Sequence, residues 1–367
     1  MASFAFCYAI IASSLTVYLG PGANGSGIAE IMAMLNGVNY PGYLSFQSLI
    51  TKIFGVILAI SASLCVGKEG PLAHIGAIIA NVVIYHIPID KFKFFQNDVH
   101  KREFMCAGIS AGVSAAFAAP IGGAMFAYEL SKPTTFWRFS MIWRIFFCSS
   151  ISTYTLSVWD QINEDGFKKE LLLTSAGTIK FGKLQDIQVG ITHVHSAIIL
   201  GIIGGLLGSL FISVNSSMTI WRKKYITTNK IKVLETGLYA FGTISCSVFF
   251  TSKMHKCYDI NEDLKDEGQT FTRWTCAEHQ YSPLATLFFN TEGGTIKNLF
   301  HGDDYYTNET INLFIFISCW YFWTIVTYGV WIPAGLFLPG IIVGGAIGRM
   351  YTWIIQDVFS YQNTDEL

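Results

Sequence analysis

The sequence predicts an all-α, polytopic membrane protein with broken and re-entrant helices. Three observations predict it. Composition is the first: 51% of the 367 residues are hydrophobic and only 13% are charged, against about 25% charged in soluble domains. The second is a series of apolar segments, each close to the roughly 20 residues that cross a bilayer. The third is a set of three glycine-rich clusters, two with proline inside and one just after proline, set within that apolar sequence. Net charge is −1, so nothing in the charge balance points to a nucleic-acid partner.

In chain order, the first apolar stretch runs from the N-terminus to Leu19. It lacks the basic region and cleavage site of a signal peptide, so it reads as a short or truncated membrane helix. Segment 48–66 follows, with one lysine near its start. Segment 104–128 is interrupted by glycine and proline. Segments 139–158, 188–212, 233–251, 310–328 and 333–356 complete the series. A soluble protein can bury one or two such helices in a core, but not this many. Gly201, Gly204, Gly205 and Gly208 recur at helical spacing, which reads as close helix packing in a bilayer.

Positive charge sets the orientation. Arg222, Lys223, Lys224, Lys230 and Lys232 lie in one connection, and Lys91, Lys93, Lys101 and Arg102 lie in another. Both are expected in the cytosol. A lumenal loop is then expected over about 252–309. It carries an Asn308-Glu309-Thr310 sequon beside the next span and two cysteines, Cys257 and Cys276. These two can pair if the loop meets an oxidising compartment. Cys65, Cys106, Cys148, Cys246 and Cys319 lie in apolar runs and read as small buried hydrophobes. The sequons at Asn24 and Asn215 fall in a glycine cluster and near the cytosolic basic run, and are discounted.

The glycine clusters carry the chemistry. The first is Gly25, Ser26, Gly27, Ile28, Ala29 and Glu30, after Pro21 and Gly22. The second is Gly67, Lys68, Glu69, Gly70 and Pro71. The third runs from Ile332 and Pro333 through Gly335, Leu336 and Phe337 to Pro339. Irregular backbone at membrane depth is tolerated only where protein or a water-filled cavity satisfies it. A helix that begins there presents free N–H groups and a positive dipole end, and glycine lets an anion approach them. Three such ends brought together would bind an anion with little or no fixed positive side-chain charge. Weak binding of that kind suits conduction. Any single cluster can equally be a helix kink, but three in this order argue for a site. Glu69 is an acidic side chain at membrane depth and is a functional candidate by default.

These segments, GSGIxE, GKEGP and GxFxP in that order, resemble the three signature segments of the CLC chloride channel and transporter family, and the likeness covers nearly the whole chain. Gly112, Val113, Ser114, Ala115, Ala116 and Phe117 extend it. The segments 143–147 and 285–290 are similar to the eukaryotic late-endosomal and lysosomal branch. The resemblance implies an incomplete CLC-type inverted-repeat transmembrane domain over 1–367, with the last helices, a pore tyrosine among them, and the CBS domains absent. It implies a chloride channel gated by Glu69, with Ser26, Gly25, Gly27, Gly67, Gly70, Gly335, Leu336 and Phe337 as the chloride-binding set. The Ser26 hydroxyl and the N–H groups of Leu336 and Phe337 would face the anion. Serine at position 26 goes with chloride preference, and proline with nitrate. A homodimer in an endosomal or lysosomal membrane, or alternatively the plasma membrane, is implied too. The small-residue segments 108–123 and 201–208 are candidates for its close contacts.

Two departures bear on mechanism. Ala29 stands where the family usually has proline. Leu130 follows Glu129 where proton-coupled members carry a second glutamate, so the proton-path position is lost. Passive chloride movement is therefore the leading expectation, with chloride/proton antiport as the alternative. A non-conducting membrane subunit that pairs with a complete relative is a third reading, and an accessory membrane subunit is a further candidate partner. No enzyme and no cofactor is expected: zinc-type Cys/His spacing and GxxxxGK[ST] are missing from the sequence. His74 reads as a packed or pore-adjacent side chain ahead of a metal ligand or relay.

Overall fold

The computed structural model describes residues 1–86, 90–132, 139–165, 193–260, 270–301 and 309–359. The Asn308 sequon lies outside them. The regular structure of the described chain is helical apart from one short two-stranded sheet. Helix α1 (Ala2–Ser14) runs on through a π-helical turn (Leu15–Leu19), and a 3-10 turn (Pro21–Ala23) leads towards α2 (Ile28–Leu35). Next come α3 (Phe46–Ser61) and α4 (Glu69–His86). After a 3-10 turn (Asp90–Phe95) follow α5 (Asp98–Phe117), α6 (Pro120–Ser131) and α7 (Phe139–Asp165). The long helices α8 (His193–Tyr225) and α9 (Asn229–Lys253) precede strands β1 (Tyr258–Asp259) and β2 (Gln280–Tyr281), which pair antiparallel. Helices α10 (Pro283–Phe289), α11 (Glu292–His301), α12 (Thr310–Thr327) and α13 (Phe337–Phe359) close the described chain.

Local chemistry sets the breaks. Segment 104–128 is not one span. Pro120 cannot continue α5, Ala118 takes a left-handed φ of 54°, and α6 starts with that proline in its first turn. Segment 48–66 is also shorter than its apolar run. The helix is capped by Ser45, which accepts from the Ser48 N–H at 3.2 Å, and it ends at Ser61. Its 16 residues span about 24 Å, short of a bilayer core of about 30 Å. Among the described residues five stretches are long and apolar enough to cross: Ala2–Leu19, Val194–Tyr225, Asn229–Lys253, Thr310–Thr327 and Phe337–Ile355.

Three apolar cores hold these helices. One lies between α2, α4, α5, α6 and α7 and includes Ile31, Ala77, Ile109, Val113, Leu130 and Ile145. A second joins α1, α3 and α9 to the chain around Ile332. A third joins α10 to α13. Glycine makes the first core tight: a Cβ on Gly76 would stand 2.8 Å from the Gly108 carbonyl carbon, and one on Gly112 would stand 2.9 Å from that of Leu72. Gly108, Gly112 and Gly123 are thus engaged inside one chain. The expected packing at Gly201, Gly204, Gly205 and Gly208 is not realised within the chain, since an added Cβ there meets nothing within 4 Å. These glycines lie on α8, whose apolar stretch is outward-facing.

Arg222 departs from the reading of a solvated basic loop. It is buried, its Nε donates to Glu235 Oε1 at 2.7 Å, and its Nη1 and Nη2 donate to the carbonyls of Tyr328 and Val326. Asn215 donates to the carbonyls of Ile325 and Tyr328. Together they satisfy the carbonyls that α12 leaves open at its C-terminus and lock α8, α9 and α12 at one end. Replacing Glu235 with alanine strands the Arg222 charge. It is expected to cost about 3–5 kcal/mol, read as a lowered melting temperature of the detergent-solubilised protein. An unchanged melting temperature would remove the pair from the account of stability.

Candidate functional site

The three glycine clusters meet through their backbones. Gly67 and Gly335 exchange both hydrogen bonds, each at 2.8 Å, as an isolated antiparallel bridge. Gly25 N–H donates to the Ile332 carbonyl at 2.9 Å, and the Gly25 carbonyl accepts from Ala334 N–H at 3.2 Å. The third cluster therefore pairs with both others. Gly335 must be glycine for this approach, because a Cβ there would stand 2.9 Å from the Gly67 carbonyl oxygen. Gly25 (φ 63°) and Gly27 (φ 88°) take left-handed conformations that side chains disfavour.

The bridges bring the starts of α2, α4 and α13 to one place. Ser26 is half-buried and lies directly against the first turn of α4, where a Cβ on Gly70 would be 2.8 Å from the Ser26 Cβ. Ser26 Oγ accepts from Ile28 N–H at 3.4 Å, which leaves its hydroxyl proton free to donate. Helix α13 begins at Phe337, so the N–H groups of its first turn have no carbonyl within that helix to bond. The Phe337 side chain faces outward and meets the Phe126 ring edge-on at 5.6 Å.

The predicted site residues divide into two groups. Ser26, Gly27, Gly70, Leu336 and Phe337 sit at or beside the helix starts. The N–H groups of Gly25, Gly67 and Gly335 are instead engaged in the bridges, so these three brace the site. Glu69 is 1% exposed, and both carboxylate oxygens lack a completed hydrogen bond. The N–H groups of Lys68, Glu69 and Leu338 are directed at it. The missing side chain of Gly67 gives it room, because a Cβ there would collide with Glu69 Oε2. The carboxylate therefore lies between the first turns of α4 and α13.

One basic side chain stands behind the first cluster. Lys52 of α3 is 0% exposed and its Nζ donates to the Gly25 carbonyl at 2.9 Å. It tethers the loop that carries Ser26 from behind. In the sequence it looked like a lone lysine near the start of an apolar run. Only its position on the face of α3 turned towards the first cluster gives it this role. His74 is also fully buried, stacked on Tyr43 at a centroid distance of 4.1 Å, with both ring nitrogens unpartnered. Tyr43 Oη donates to the Gly27 carbonyl at 3.0 Å. This pair packs beneath the first cluster, in line with the packed reading of His74. Leu130 is buried in the first core, while Glu129 on the same helix is exposed.

Glu69 opens on one side into a cavity of about 480 Å³ lined by Lys68, Glu292, Thr243, Asn290, Cys319 and Trp323 among others. The cavity wall includes residues 288–293, from the part of the chain that also carries the Cys257–Cys276 disulfide. It is a vestibule leading to the carboxylate, with polar groups of both signs.

The family model for the voltage gated chloride channel matches residues 8–366. The chain is 34% identical over 358 residues to the H(+)/Cl(-) exchange transporter 7 of Mus musculus, covering 94% of this chain and 43% of that protein. It is 33% identical over 370 residues to the chloride channel protein CLC-d of Arabidopsis thaliana, covering 94% and 46%. The chain thus spans a little under half the length of these curated relatives. Its fold is similar to a crystal structure of a eukaryotic CLC transporter, with a TM-score of 0.65 at 20% identity over 98% of this chain and 52% of that one. It is similar to a slow cyanobacterial Cl-/H+ antiporter as well, with a TM-score of 0.64 at 17% identity over 98% and 70%.

Two glycines with similar positive φ separate strain from packing. Gly42 (φ 79°) has open space around it, whereas a Cβ on Gly27 would lie 2.7 Å from both His74 Nδ1 and Tyr43 Oη. Gly42→Ala is expected to cost about 1–2 kcal/mol from the left-handed backbone alone. Gly27→Ala should cost clearly more in the same thermal unfolding assay. Equal losses would show that Gly27 is needed only for its φ.

Proposed function

This chain belongs to the voltage-gated chloride channel family, CLC, and from that premise we propose that it carries chloride across a membrane past Ser26, the starts of α2, α4 and α13, and Glu69. The observation that carries the proposal is the buried, unbonded Glu69 carboxylate lying between two helix N-termini at the mouth of the vestibule. An ionised carboxylate there competes with an anion for the same N–H dipoles. Protonation removes the charge, weakens that competition and opens the path. Ser26, Leu336 and Phe337 are the anion donors in this reading. Gly25, Gly67 and Gly335 hold the geometry, and Lys52 tethers the first loop from behind.

Leu130 supports passive movement. An aliphatic side chain packed in a dry core holds no proton, and Glu129 points away from that core. The second reading is chloride/proton exchange. It is favoured by the printed activities of the exchange transporter 7 relatives and of the cyanobacterial antiporter, and it needs a proton route that avoids position 130. A homodimer with one pathway per subunit belongs to the proposal, as does a late-endosomal or lysosomal membrane, supported by the likeness of segments 143–147 and 285–290 to that branch.

The test is reconstitution of the chain in liposomes, with chloride efflux and internal pH followed together. Chloride flux without uphill proton movement supports the passive reading, and a fixed proton-to-chloride ratio supports exchange. Folded protein without flux would leave the non-conducting subunit. In the same assay Glu69→Gln is expected to keep chloride flux and lose its pH dependence. Flux that titrates as in the unaltered protein would remove Glu69 from the gate. Ser26→Pro is expected to lower the preference for chloride over nitrate by about tenfold, or about 1.4 kcal/mol.

A further inference from the structure

Two thiols from different helices touch beside the vestibule. Cys246 of α9 and Cys319 of α12 stand with their sulfurs 3.9 Å apart, both free and both half-buried. Cys319 lines the cavity, and so does a third thiol, Cys65. Cys65 lies within electrostatic reach of Cys246, Cys319 and Glu292. Oxygen donors line the same cavity: the hydroxyls of Thr243 and Ser247 and the carboxylate of Glu292.

The sulfur separation is that of a thiol–thiol hydrogen bond, and it also suits one further chemistry. A disulfide holds its sulfurs about 2.05 Å apart. A tetrahedral d10 cation with metal–sulfur bonds of about 2.3 Å holds two sulfurs about 3.8 Å apart. We infer that Cys246 and Cys319 form the sulfur edge of a binding site for a thiophilic divalent cation of the zinc and cadmium class, reached from the vestibule, with water and cavity oxygens completing the shell. On binding, each thiol gives up its proton to vestibule water, so one divalent cation exchanges for two protons and the site is electrically neutral. Affinity therefore falls as pH falls, because protons compete for both sulfurs. Occupancy joins α9 to α12 across the cavity wall and narrows the approach to Glu69. That last consequence rests on the proposed chloride path; the binding does not. Among the described residues the one group of three ligating side chains with donor atoms mutually within 4.8 Å is His255, Cys257 and Cys276, whereas Cys246 and Cys319 bring two. The two sulfurs in it are bonded to each other and are not available as thiolates.

The experiment uses the full chain in detergent, with Cd2+ as the probe. Cd2+ is expected to bind with a sulfur-to-metal charge-transfer absorption. It should also slow maleimide labelling of Cys319, read by peptide mass spectrometry, by about tenfold or more, while labelling of the exposed Cys7 stays unchanged. The labelling test needs no variant. Cys246→Ser with Cys319→Ser is expected to abolish the absorption band, and His255→Ala to keep it. Equal labelling of Cys319 with and without Cd2+, or a band that survives the double substitution, overturns the site. In liposomes Cd2+ should inhibit chloride flux by the unaltered chain and not by the double variant. Binding without inhibition would keep the metal site and place the vestibule off the chloride path.

Discussion

The site depends on four backbone hydrogen bonds. Two join Gly67 to Gly335, and two join Gly25 to Ile332 and Ala334. Each lies where the chain has just left one helix and is about to start another. Such breaks expose amides and carbonyls that a membrane interior cannot satisfy. Here the loops satisfy one another, and the helix starts that follow them are left as the free donors. The bridging glycines and the donating amides thus have separate duties, and the first make the second affordable at membrane depth.

The same constraint explains the packing around the site. Loops held this closely need helices that approach closely, and α4 meets α5 through Gly76, Gly108 and Gly112 with almost no side chain between them. Lys52 and the stacked Tyr43 and His74 fill the space behind the first loop. Gly67 lacks a side chain where the Glu69 carboxylate folds back. A larger residue at any of these positions would move a helix start and so change the field at Glu69. At one far end, Arg222 and Asn215 close the terminus of α12 and fix the helices that lead into the third loop.

The vestibule sets a different balance from the narrow region beneath it. It carries Lys68, Glu292 and free thiols around open space, while the site itself relies on amide dipoles and one hydroxyl. Mobile charges and metal ions can therefore act on the approach to Glu69 without entering the bridged region.

How much was legible follows the range of the interactions. Composition and apolar run lengths determined a membrane protein, because both report on single helices meeting lipid. The order and residue types of the glycine clusters determined where helices break, and Glu69 and Ser26 stood out because a carboxylate and a hydroxyl there have no ordinary apolar role. Segment 48–66 was read as a full span because hydropathy does not see where a helix ends, and Ser61 ends it. Gly25, Gly67 and Gly335 belong to the chloride-binding set that the resemblance implies, but their N–H groups face other loops, which depends on a pairing between positions far apart in sequence. Lys52, Arg222 and the Cys246–Cys319 contact were likewise decided only by the tertiary structure. A lysine near the start of an apolar run, an arginine in a basic connection and two cysteines in separate helices acquire their meaning from which face of one helix meets which face of another. The sequence by itself determined which backbone breaks and polar groups the membrane domain would have to accommodate. The tertiary structure decided which of them satisfy one another and which remain free for an ion.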